Sequence, residues 1–93
     1  MSQSNNATVD FKDVILRKPL TTPKGEEITV LELKEPIVLQ LIDASKKPSQ
    51  YEFVLSIIAA QTGIQMAVLQ NMGQRDFTEC ADFLATFGDY STQ

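Results

Sequence analysis

The chain has no histidine and no tryptophan, one cysteine, and only four glycines and four prolines among its 93 residues. Without histidine, the Ser-His and Cys-His nucleophile arrangements are impossible, and so are nearly all zinc sites. The lone cysteine, Cys80, can close no intrachain disulfide. It falls within an apolar helical stripe, where the bland reading is a small buried hydrophobe and not a reactive thiol. Each glycine stands at a turn or cap position, and none builds a spacing that would cradle a phosphate. No acidic loop carries a calcium-binding pattern. The longest apolar run, "VLSIIAA" from residue 54, is far shorter than a bilayer requires. The polar start "MSQSNNATVD" does not read as a signal peptide. These absences lead us to expect a soluble, cytoplasmic protein with no metal, no cofactor and no catalytic role.

Positive charge is also scarce. Eight Lys and Arg stand against twelve Asp and Glu, for a net charge of −4. The cations are scattered along the chain, and an acidic surface repels a phosphate backbone, so nucleic-acid binding is not expected. Carboxylate pairs occur at Glu26-Glu27 and at Asp76 with Glu79. Both lie in polar stretches that read as solvated, without the burial that general acid–base work needs.

What is present suits one small globular domain: 43% hydrophobic and 22% charged residues. Residues 1–8 are Ser, Gln, Asn and Ala with little to bury and read as a disordered tail, with the domain expected over 9–90. From Val9, "VDFKDVILRKPL" mixes apolar and charged residues at near-alternating positions, as a strand does, with Pro19 marking an edge or an end. "TTPKGEE" is turn chemistry, and "ITVLEL" is a β-branched partner strand ending at Leu33. Its alternation slips: Ile28 and Val30 fall on one face, Leu31 and Leu33 on the other. Either both faces are covered or a bulge shifts the phase. The prediction is an α+β domain in which an N-terminal β-hairpin packs against three to four helices.

The first helix is expected to place Pro36 in its opening turn and to bury Val38, Leu41 and Ile42. The second opens with a capping box at Ser49 and Glu52 and stops at Gly63. Its apolar residues nearly encircle it, which marks a central element. A short helix ends at Gly73, and the last runs from about Gln74 to Phe87. Phe53, Phe77, Phe83 and Phe87 sit among aliphatics, so core packing is their default role. Met66 and Met72 either fill gaps in the core or form an adaptable binding surface. The candidate partner site is therefore Met66, Leu69, Met72 and Phe77, on a segment between two glycines that can shift independently.

The order of these features has a further meaning. The Gly25 turn and the Leu33-Lys34-Glu35-Pro36 strand exit are followed by the helix end "AAQTG" at residues 59–63. A Leu69-x-x-Met72 short helix and the Asp76-Phe77 opening complete the series. Over residues 16–87 the chain resembles the small tail-assembly chaperones of contractile-tailed bacteriophages. After the proline it carries Ile37-Val38, where that family often has small or polar residues. The resemblance implies a protein of a phage or prophage that acts during virion morphogenesis in the host cytoplasm and is absent from the finished tail. It implies binding to the tape-measure protein, with the tail-tube protein and a frameshifted longer form of the chain as further partners. A small adaptor or regulatory protein, or a structural subunit of a phage particle, is the alternative.

Overall fold

The computed structural model describes residues 10–88. The expected tail over residues 1–8, the hairpin's start at Val9 and the domain's end at residues 89–90 lie outside them. The described chain runs β1 (Phe11–Thr21), β2 (Glu27–Lys34), α1 (Val38–Ala44), α2 (Gln50–Thr62), α3 (Met66–Leu69) and α4 (Gln74–Ala85). The antiparallel hairpin forms one layer and the helices the other, giving the α+β domain that the patterning predicts.

The turn closes as its residues dictate. Pro23 presets one backbone angle, Gly25 takes φ +89°, and Gly25 N–H donates to the Thr22 carbonyl at 2.9 Å. Thr22 Oγ1 then accepts the Glu26 N–H at 3.1 Å.

The slipped alternation of β2 has its cause on the other strand. Val14 pairs with Leu31 and Ile15 with Val30, but the next pairs are Leu20 with Ile28 and Thr21 with Glu27. Residues 16–19 thus stand against Thr29 alone, an extended bulge on β1. The bulge resets the phase, so that Leu31 and Leu33 face the core before it and Ile28 packs on the core after it. Pro19 lies inside β1, not at its end, in the one stretch where a missing N–H interrupts no ladder.

Beneath the hairpin, Val14, Leu16, Leu20, Leu31 and Leu33 meet the helices in one continuous core. α2 supplies Val54, Leu55, Ile57 and Ile58, with Ile57 and Ile58 fully buried. α2 lies chiefly over β2 and α4 over β1. From α4 come Cys80, Phe83 and Leu84, while Phe77, Ala81 and Phe87 pack on the core's margin. Phe83 and Phe87 meet edge to face at 5.2 Å, which orders the turn after α4.

The caps of α2 are close to expectation. Ser49 Oγ accepts the Glu52 N–H at 3.1 Å, and Gly63 takes the left-handed φ of 78°. Only the hydroxyl half of the predicted capping box is formed. The start of α1 differs from the prediction in two ways. Pro36 precedes the N-cap residue Ile37 and so stands outside the helix. The N-terminal N–H of Ile37 is instead received by Gln40 Oε1 at 3.3 Å. Moreover, Val38 and Ile42 do not face the core. Of the expected stripe only Leu41 packs against it, and Ala44 is the buried residue of α1.

Candidate partner-binding surface

α1 carries apolar residues on two sides, one turned to the core and one to water. At about 100° per residue, Leu41 and Ala44 share the side that meets α2, while Val38, Ile42 and Leu39 fall within a single arc on the other. That arc is solvent-exposed: Val38 at 69%, Leu39 at 61%, and Ile42 about half, with Ile37 beside them at the N-cap. These neighbouring side chains form one contiguous exposed apolar patch, a candidate surface for interaction.

Gln61 fixes this orientation. Its Oε1 accepts the Lys34 N–H at 3.0 Å, and its Nε2 donates to the Lys34 carbonyl at 2.8 Å. The same Nε2 donates to Gln40 Oε1 at 3.3 Å. One amide on α2 therefore ties the end of β2 to the first turn of α1. Both glutamines lie in polar positions between apolar runs. No local sequence pattern identifies the tie, because Gln61 reaches Lys34 and Gln40 from more than twenty residues away.

A second exposed surface is the outer face of the hairpin. Phe11 and Ile15 are 69% and 66% exposed, and Val30, the cross-strand partner of Ile15, is also exposed. Between these apolar residues Asp13 stands opposite Glu32.

The segment predicted as the binding site has a different geometry. Leu69 is fully buried, while Met66, Met72 and Phe77 are half-buried and pack against the core. Leu69, Met72 and Phe77 come together with Tyr51 and Leu55 around an open groove of about 470 Å³. Leu69 is its floor. The Tyr51 and Phe77 rings lie 5.3 Å apart, and Tyr51 is largely exposed. Met66 is not among the groove's residues.

Asp76, read from sequence as solvated, is buried instead. Its two carboxylate oxygens accept the Arg17 and Lys18 N–H groups of the β1 bulge, each at 3.1 Å. Arg17 Nη1 lies 3.5 Å from Asp76 and 3.6 Å from Glu79, and Lys12 Nζ reaches Glu79 at 3.4 Å. This cluster is a clasp between β1 and α4. Both carboxylates in it have cationic partners. Burial, reinforced by the nearby Glu79 and Asp76 charges, pushes the Cys80 thiol from 9.0 up to about 12. A thiol so protected is a poor nucleophile. Among the described residues no group of three or more Cys, Asp or Glu side chains is placed to hold a metal ion, and no helix is long and apolar enough to cross a membrane.

The family model described as phage tail assembly chaperone proteins, E, or 41 or 14, matches residues 13–88. No curated protein and no solved structure matches the chain. The matched span takes in nearly the whole hairpin and all four helices, including both exposed apolar surfaces apart from Phe11. The chain belongs to the phage tail assembly chaperone family.

Proposed function

We propose that the chain holds the tape-measure protein soluble during tail assembly in the host cytoplasm, without enzymatic activity, and is absent from the mature virion. The observation that carries this reading is the outer side of helix α1, where Val38, Leu39 and Ile42 face water. Burying each such side chain is worth about 1.5–3 kcal/mol. A small domain that forgoes this at three adjacent positions has its apolar surface set for another molecule. A long, helical, apolar client fits such a face by helix packing. In this reading the groove beside Met72 and Phe77 is a second contact on the same client. The tail-tube protein and a frameshifted longer form of the chain are its other partners.

The test is co-expression with the tape-measure protein. Val38→Glu with Ile42→Glu is expected to lose the client from the soluble fraction. Both sites are exposed, so the domain's own stability is expected to change by no more than about 0.5 kcal/mol. A folded variant that keeps the client soluble as the parent does rejects α1 as the holding surface. Mass spectrometry of purified tails addresses the other half of the proposal. Finding the chain there at fixed stoichiometry makes it a structural subunit instead.

A further inference from the structure

The outer face of the hairpin has an arrangement that the fold alone does not explain. Asp13 and Glu32 are directly opposed across the two strands, both exposed. Like charges at such a position destabilise a sheet. Among the described residues neither is in an ion pair, although Lys34 stands on the same face opposite Phe11. On one side of the two carboxylates is the exposed pair Ile15 and Val30, and on the other is Phe11. The face therefore reads as an apolar pair, an acidic pair, and then Phe11 beside Lys34.

From this pattern we infer that the outer hairpin face docks an amphipathic helix of the client, one that presents a Lys or Arg flanked by apolar residues four positions to either side. The inference rests on the chaperone reading above and adds a second, charge-selective surface to it. The spacing supports it. Phe11, Asp13 and Ile15 succeed one another at about 7 Å along the strand. Residues four apart on a helix rise by about 6 Å. A cation at the centre of such a helix meets both carboxylates, while its flanking residues cover Phe11 and the Ile15–Val30 pair. An extended segment has similar spacing, but laid across a sheet face it leaves its backbone groups unpaired, whereas a helix satisfies its own. A second copy of this chain fits poorly, because two such faces together gather four carboxylates against only two lysines, Lys34 of each copy.

The probe is a designed helical peptide with one lysine flanked by leucines at four residues to either side, compared with the same peptide carrying glutamate instead of lysine. The intact chain is expected to bind the lysine peptide at least about tenfold more tightly, a preference that weakens with salt. In the double variant D13K/E32K, shown to be folded by circular dichroism, the preference is expected to reverse. Equal binding of the two peptides, or a preference that does not follow the charge swap, overturns the inference. So does a dimer that D13K/E32K dissociates, since that places a second copy on the face. In co-expression, D13K/E32K is expected to lower the soluble tape-measure yield. An unchanged yield overturns this surface while leaving the chaperone reading intact. A client that is equally soluble without the chain removes the chaperone reading itself.

Discussion

Arg17 meets Asp76 twice: its backbone N–H donates to Asp76 Oδ1 at 3.1 Å, and its Nη1 lies 3.5 Å from the same oxygen. The second carboxylate oxygen takes the next N–H along, that of Lys18. A bulge breaks the ladder and leaves donors without strand partners, and here a buried side chain from α4 receives two of them. Asp76→Ala removes both acceptors at once. We expect a loss of about 2–4 kcal/mol in denaturant melts. Asp76→Asn, which retains one acceptor, is expected to lose roughly half as much. A melt unchanged by Asp76→Ala would show that the bulge does not depend on the clasp.

Gln61→Ala unties β2 from α1. Its hydrogen bonds to Lys34 are exposed, so the global cost is modest, about 0.5–1.5 kcal/mol. The local effect is expected to be larger. Amide hydrogen exchange across residues 34–44 should quicken while that of α2 stays slow. Uniform protection in the variant contradicts the anchoring role.

Ile57→Ala and Ile42→Ala contrast the two kinds of apolar residue. Ile57 is buried at the centre of α2, and its truncation is expected to destabilise by about 2–5 kcal/mol. Ile42 is about half exposed, and its truncation is expected to stay within about 0.5 kcal/mol. Equal losses at the two sites would place α1's outer face in the core.

Cys80 ionises near 9.0 in an unfolded chain and at about 12 when folded. Below pH 9 both states hold the proton, and the thiol adds no pH dependence. As pH rises from about 9 toward 12, the unfolded state releases its proton first, so stability falls. Melts compared with those of Cys80→Ala should show this slope only in the parent. Native protein at pH 8 should resist iodoacetamide until denaturant is added. Rapid labelling of the folded chain contradicts the burial.

Met72→Glu places a carboxylate beside Tyr51 and Phe77 in the groove. The expected outcome is weaker retention of the tape-measure protein, with a stability loss below about 1 kcal/mol. Met66→Glu, outside the groove, is expected to leave retention unchanged. Unfolding of the Met72 variant assigns that side chain to the core, and a folded variant with full retention removes the groove from the interface.

Much of this architecture is legible in the chain. Ser49, Gly63 and Gly25 mark boundaries because each answers a local backbone need that its neighbours reveal. α1 is not legible in the same way. In "VLQLI" apolar residues occupy most of the circumference, and periodicity cannot say which side meets the core. Leu41 and Ala44 are the inward pair because α2 and Gln61 hold the helix in that rotation. Asp76 was hidden for a related reason. A carboxylate in a polar stretch is exposed by default, and the donors that bury it lie almost sixty residues away. One clue was available: a proline inside a strand pattern points to a broken ladder, and a broken ladder needs acceptors.

A sheet of two strands has no interior strand, so each strand has one flank open to pairing with a foreign chain. Gln61 occupies the flank of β2 at Lys34, and Asp76 that of β1 at Arg17 and Lys18. The stretches that remain each carry a carboxylate, Asp13 on one and Glu32 on the other. Strand-by-strand growth into fibres is thereby interrupted at the end of β2 and at the bulge of β1. In the proposed reading, apolar side chains stay free to adhere to a client, while the interrupted strand edges make a poor template for a polymer.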